Sequence, residues 1–203
     1  MKVLVACEYS GIVRDAFSKQ GHEAISCDLL PTDAPWGGHY QGDVFDIIED
    51  GWDLMIAHPP CTYLCSSGLH WNGRVPGRSE LTMQALEFVQ RLLDAPIPKI
   101  ALENPVGRIN TAIRKPDQTI QPYDFGDNAS KKTCLWLKGL PILLPTRRFH
   151  GRMVMSPSGK MIERWGNQCD NYGQDKTPPS ADRWKIRSKT YPGIADAMAS
   201  QWG

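Results

Sequence analysis

The sequence predicts an α/β fold, a doubly wound and mostly parallel sheet followed by a small irregular C-terminal region. Three observations carry that expectation. Short unbroken apolar runs recur at Leu54 to Ala57 and within Lys99-Ile100-Ala101-Leu102. Such runs suit strands buried on both faces, as in parallel sheets. The first unit reads strand, turn, helix, strand, acidic residue, the grammar of a doubly wound sheet. Two of the runs also stop at proline, at Pro59-Pro60 and at Glu103-Asn104-Pro105, because a residue without an N–H cannot continue a ladder.

The elements follow in order. A first strand spans Lys2 to Ala6, and Cys7-Glu8-Tyr9-Ser10-Gly11 makes a turn. Ile12, Val13, Ala16 and Phe17 then recur at helical spacing, with Arg14, Asp15 and Ser18 assigned to the polar face and Gly21 closing the helix. Glu23 to Cys27 is a second strand ending in Asp28. Pro31 to His39 reads as loop, Gly42-Asp43-Val44-Phe45 opens another unit, and the fourth strand is Leu54 to Ala57. Thr62 to Arg78 is a long glycine-bearing loop, a length that usually signals function. Leu81 to Leu93 is an amphipathic helix with Leu81, Ala85, Phe88, Val89 and Leu92 on one side. Thr133 to Leu137 is a further strand, Pro145 to Lys189 reads as irregular, and Gly193 to Trp202 is a short terminal helix.

At 203 residues and 41% hydrophobic content the chain suits one domain with a modest appendage. No run approaches the roughly 18 apolar residues of a membrane span. The N-terminus lacks a signal-peptide layout. Six cysteines at irregular spacing then predict reduced thiols and a cytoplasmic location. The net charge of +1 hides an asymmetry: Arg147 to Lys189 holds ten Lys/Arg against four Asp/Glu. A basic segment on a neutral-to-acidic body predicts a polyanion contact, with an ordinary basic surface loop as the competing reading.

Cys61 follows the two prolines, past the carboxyl end of a strand, where open α/β sheets bind ligands. It is a candidate nucleophile, or a small core thiol beside a turn. Glu103 ends a neighbouring strand at the same edge. A carboxylate beside a thiol raises the thiol's pKa, so a protonated or shared-proton Glu103 touching a ring nitrogen fits better. Asn104 and Pro105 fix the local turn. Gly11 opens the first helix, where backbone can approach a ligand and negative groups are favoured. Asp28 and Asp43 end successive units and suit a ribose and an adenine, or are helix caps and solvated turns. A zinc reading of His58, Cys61, Cys65 and His70 lacks a second Cys pair, so no metal is expected.

Pro-Pro-Cys after one apolar strand and Glu-Asn about forty residues later after another resemble the DNA cytosine-5 methyltransferases. More narrowly, the chain is similar to short methylase-like proteins of bacteriophages, in Phe125-Gly126, in Ser130 to Gly139 and in Tyr191 to Ala195. The resemblance implies a Rossmann-like sheet that binds S-adenosylmethionine and releases S-adenosylhomocysteine. It implies Cys61 as nucleophile toward C6 of cytosine, Glu103 as its partner at N3 and the amine, and Pro60 and Asn104 beside them. The implied cofactor pocket is Cys7, Glu8, Tyr9, Ser10, Gly11, Asp28, Leu29, Asp43 and Pro59. The implied DNA contacts are Arg74, Arg78, Lys131, Lys132, Arg147, Arg148, Arg164 and Trp165, with Tyr172 and Trp184 interleaved among the basic residues. A buried base cannot be attacked, so the substrate would be flipped or single-stranded, and the loop Ser66 to Arg78 would close over it. The implied division is residues 1–145 catalytic, 146–190 a small basic recognition region and 191–203 a returning helix. The expected partner is DNA, with no membrane; the protein is expected to be a monomer, in the host cytoplasm if phage-encoded. Two rivals stay open: an enzyme acting on free cytosine nucleotides, and a catalytically silent nucleic-acid-binding relative.

Overall fold

A computed structural model describes residues 1–173 and 175–203. In chain order the elements begin β1 (Lys2–Ala6), α1 (Ile12–Lys19), β2 (Glu23–Asp28), β3 (Gly38–Gln41) and β4 (Leu54–Ala57). Then come α2 (Ser66–Leu69), α3 (Arg78–Leu93), β5 (Lys99–Pro105), α4 (Ile109–Ala112), β6 (Gln118–Ile120) and β7 (Thr133–Lys138). The last are β8 (Arg152–Met155), β9 (Met161–Arg164), α5 (Arg183–Ser188) and α6 (Pro192–Trp202).

Seven strands form one sheet in the order β3-β2-β1-β4-β5-β7-β6. The first five are mutually parallel, and β7 runs antiparallel to both β5 and β6. The strand order reverses between β1 and β4, which is where a doubly wound sheet opens a crevice at its carboxyl edge. Alternation along the strands divides the core. Val3, Val5, Leu54 and Ile56 face α1 and α6, while Leu4, Ala6, Met55 and Ala57 face α3. All eight are fully buried, which explains why β1 and β4 read as continuous apolar runs. Among the described residues no helix is long and apolar enough to cross a membrane.

Several expectations need correction. Arg14 is fully buried rather than on the polar face of α1. Its guanidinium bonds Asp15 at 2.7 Å, the Trp36 carbonyl at 2.6 Å and the Gly38 carbonyl at 3.3 Å. That set satisfies its donors and ties the 31–39 segment to the helix. Gly38 to Gln41 is a strand, although the stretch up to His39 reads as loop. It is a four-residue edge strand with no fully buried residue, so it carries no apolar signature. The helix expected from Leu81 starts at Arg78, and its buried row is Thr82, Leu86, Val89 and Leu92. Leu81 is exposed. Thr82 displaces it because its hydroxyl is satisfied by Asn72 Nδ2 and the Tyr63 carbonyl, which makes its burial tolerable. Pro145 to Lys189 is not wholly irregular either. It contains the hairpin β8–β9, paired from Arg152↔Arg164 to Met155↔Met161, and the short α5.

Candidate active site

Ala57 ends β4 and Pro59-Pro60 break it, leaving Cys61 exposed on a turn closed by Leu64 and Cys65 N–H bonds to the Cys61 carbonyl. Asn104, on the adjacent strand β5, donates through Nδ2 to the Pro59 carbonyl at 2.7 Å. Asn104 thus clamps the proline turn across strands instead of bonding its own backbone. Pro59 is buried and Pro60 exposed.

Glu103 is 8% exposed at the end of β5. Its Oε2 lies 2.9 Å from His58 Nδ1. Burial pushes the carboxyl upward, but the Lys131 charge, the His58 hydrogen bond and the Thr133 hydroxyl outweigh it. The carboxyl is held below its ordinary value and is ionised at neutral pH, unlike the protonated or shared-proton group the sequence favours. The expectation missed the cation: Lys131, read as a DNA contact, stands beside this carboxylate. It lines a small recess with Glu103, Thr133, Thr190, Tyr191 and Ile194, and its Nζ also bonds the Arg187 carbonyl at 3.1 Å.

The two thiols divide one proton unequally. The neighbouring Cys65 thiol first of all, and then desolvation, push the Cys61 thiol up; the Lys131 charge acts the other way. Cys65 is pushed well down, first by the neighbouring Cys61 thiol and further by the Ser67 hydroxyl. The Ser67 Oγ stands 3.2 Å from Cys65 Sγ, and a hydrogen bond to the thiolate favours it over the thiol. The sequence marks Cys65 only as a loose metal candidate. Among the described residues no group of three or more His, Cys, Asp or Glu could hold a metal.

A second recess opens at the switch point between β1 and β4. Cys7, Glu8, Tyr9, Ser10 and His58 line it, and Ser188, Lys189 and Thr190 wall its outer side. Its enclosed volume is about 40 Å³, far below the roughly 300–1,000 Å³ of small-molecule pockets. The segment through α5 to Thr190 narrows it. Tyr9 Oη donates to the Lys185 carbonyl, and Lys185 and Lys189 bond the Asp33 carboxylate at 2.7 and 3.1 Å.

The first helix is not open to an anion. Glu8 is buried, and its carboxylate accepts from the Val13 and Arg14 N–H groups at 2.8 and 3.2 Å and from Ser10 Oγ at 3.1 Å. The protein's own carboxylate takes the donors that the sequence assigns to a ligand. Gly11 has φ 72°, and a Cβ there would stand 2.5 Å from Arg14 Nη2. This glycine makes room for Arg14, not for a ligand.

Of the expected cofactor residues, Cys7, Glu8, Tyr9 and Ser10 come together, while Gly11, Asp28, Leu29, Asp43 and Pro59 do not line the recess. Asp28 accepts the Leu30 N–H at 2.9 Å, and burial raises its carboxyl. Asp43 caps the turn at Val44–Asp46 through the Phe45 N–H at 3.0 Å. Leu29 is exposed. The charges of Asp28 and Asp43 nonetheless reach Cys7, whose thiol is raised by burial and then by these two carboxylates.

The expected DNA contacts disperse. Arg78 braces the Cys61 loop, with Nη2 3.0 Å from the Thr62 carbonyl and its guanidinium 4.9 Å from the Tyr63 ring centre. Arg148 is bound to Asp124 at 3.0 Å and Glu163 at 2.9 Å. Trp165 is buried, stacked on Tyr123 at 4.0 Å, and Arg164 is half-buried behind it. Arg74, Lys132 and Arg147 are exposed. The sequence marks His58 only as a loose metal candidate. Its signal was its place next to Pro59-Pro60-Cys61, but its pairing with Glu103 needs the β4–β5 register. No protein-family model and no curated protein matches this chain.

Proposed function

We propose that this chain is a cytosine-5 methyltransferase of DNA that uses S-adenosylmethionine. The observation that supports it best is that the Cys61 turn and the Glu103 carboxylate meet at the ends of two adjacent parallel strands, beside the switch-point recess. The doubly wound sheet is compatible with the Rossmann-like sheet that the methyltransferase resemblance implies.

The recess fits the cofactor's chemistry in one respect that can be checked on its walls. It holds a buried carboxylate, Glu8, and a buried imidazole nitrogen of His58 with no partner among the described residues, a lining suited to a cationic group. Tyr9, Ser10 and Thr190 would hold the rest. Bound there, S-adenosylmethionine would supply an electrophilic methyl group to C5 of the cytosine.

The protein's own groups do the remainder. Cys61 Sγ forms a bond to C6 as its proton passes to water. The C5–C6 electron pair moves toward C5. Glu103 accepts from the exocyclic amine, and the Lys131 charge offsets the density that develops on the ring. Once C5 is methylated, loss of its proton to water restores the double bond and expels Cys61 as thiolate. Asn104 keeps the attacking turn in place through Pro59.

Incubation with labelled S-adenosylmethionine and DNA, followed by base analysis, tests the reading. Label should appear in 5-methylcytosine and vanish in Cys61→Ser, since a hydroxyl is a far poorer nucleophile. No transfer to any DNA by a preparation that binds the cofactor would refute it. A free cytosine nucleotide as substrate is the second reading, favoured by the internal commitment of Arg78, Arg148 and Trp165. Transfer to deoxycytidine monophosphate but not to oligonucleotides would select it.

A further inference from the structure

His58 forms the wall shared by the two halves of the site. Its backbone N–H bonds the Ala6 carbonyl at 2.9 Å, so β1 and β4 together fix where the ring stands. The side chain is 8% exposed. An ionised Glu103 can only accept, so the 2.9 Å separation requires the hydrogen on Nδ1. The opposite nitrogen, Nε2, is buried and has no hydrogen-bond partner among the described residues. The ring lines the recess with Cys7, Glu8, Tyr9, Ser10 and Thr190. A buried polar atom left unpaired is rare and costly. A ligand that donates a hydrogen there removes the cost. Glu8 makes the same recess electronegative, while Lys189, which also lines it, has its ammonium 3.1 Å from Asp33.

We propose that His58 serves both halves: Nδ1 positions Glu103 toward the base, and Nε2 accepts a hydrogen bond from the α-ammonium of an amino-acid-bearing sulfonium nucleoside. The proposal rests on the methyltransferase reading and adds a residue that couples cofactor occupancy to the orientation of Glu103.

The two nitrogens can be separated by substitution. In His58→Asn the amide nitrogen takes the place of Nδ1, so Glu103 stays oriented while no acceptor remains for the ligand. In His58→Gln a polar atom remains near the Nε2 position, and Glu103 loses its donor. Calorimetry uses S-adenosylhomocysteine and 5′-methylthioadenosine, which lacks the amino-acid part. His58→Asn should bind S-adenosylhomocysteine about tenfold or more weakly, the scale of removing one charge-assisted hydrogen bond. Its 5′-methylthioadenosine affinity should be unchanged, and with saturating S-adenosylmethionine it should still form a covalent adduct with 5-fluorocytosine DNA. His58→Gln should show the reverse pattern, near-native S-adenosylhomocysteine affinity and a slow adduct. A general structural role would lower both ligands and the adduct together in both variants, and that result overturns the proposal. So does native S-adenosylhomocysteine affinity in His58→Asn. If the native protein binds no S-adenosylhomocysteine, the methyltransferase reading itself fails, and the role of Nε2 fails with it.

Discussion

Cys61 is exposed on the turn past β4, but its thiol is not by itself activated. It is raised first by the neighbouring Cys65, and the lowered thiol of the pair belongs to Cys65. Adduct formation by the native protein with 5-fluorocytosine DNA should therefore speed up as pH rises above neutrality. In Cys65→Ser the neighbour that raises the Cys61 thiol is gone, and the pH profile of adduct formation should move down toward the ordinary thiol value of about 8.5. A profile unchanged by Cys65→Ser would show that the two thiols are not linked. Cys61 and Glu103 were legible in the sequence because each follows an apolar run at a strand end. The pairing of His58 with Glu103 was not, since only the β4–β5 register brings these two together. The ionised state of Glu103 was misread for the same reason: Lys131 reaches it from the segment just before β7.

Element by element, the least expected device is the first turn of α1. Glu8 caps the helix and Gly11 leaves room for the Arg14 guanidinium. Gly11→Ala would place a side chain at a left-handed φ and against Arg14. Urea denaturation should show a loss of about 1–3 kcal/mol, the usual cost of such strain. A neutral substitution would show that Arg14 moves aside freely. The strap formed by α5 and residues 188–190 is tied to Asp33, whose carboxyl is held below its ordinary value, chiefly by the Lys185 hydrogen bond and then by Lys189. A depressed folded value means that this tie is complete above the ordinary carboxylate range. It weakens as pH falls through the lowered value. Asp33→Asn removes the charge at every pH. Trypsin should then cleave after Lys185, Arg187 or Lys189 faster than in the native protein, and added S-adenosylhomocysteine should alter that rate. Equal cleavage would leave Tyr9 as the strap's main anchor. The strands β1, β2, β4, β5 and β7 and the helix α6 were readable from apolar pattern. The edge strand β3 and the hairpin β8–β9 were not, because largely exposed strands carry little hydrophobic signal.

At the scale of the molecule, the basic surplus of Arg147 to Lys189 is partly neutralised by the body. Arg148 meets Asp124, and Lys185 and Lys189 meet Asp33. Charge counting along the sequence could not foresee this, because the acids lie in distant segments. DNA affinity should accordingly depend on the exposed Lys132 and Arg147. Reversing both to Glu should flatten the dependence of log K on log salt by roughly 0.7–0.9 for each phosphate no longer neutralised. Arg148→Glu should instead loosen the β8–β9 hairpin from Tyr123 and Asp124. An unchanged slope in the double reversal would place the DNA elsewhere. The proposed function turns on a covalent bond between Cys61 and a cytosine ring, which denaturing electrophoresis and mass analysis can detect in the native protein incubated with 5-fluorocytosine DNA and S-adenosylmethionine. One stable adduct should form, mapped to Cys61 and absent in Cys61→Ser. No adduct from a preparation that binds S-adenosylhomocysteine, or an adduct mapped to another cysteine, would contradict it.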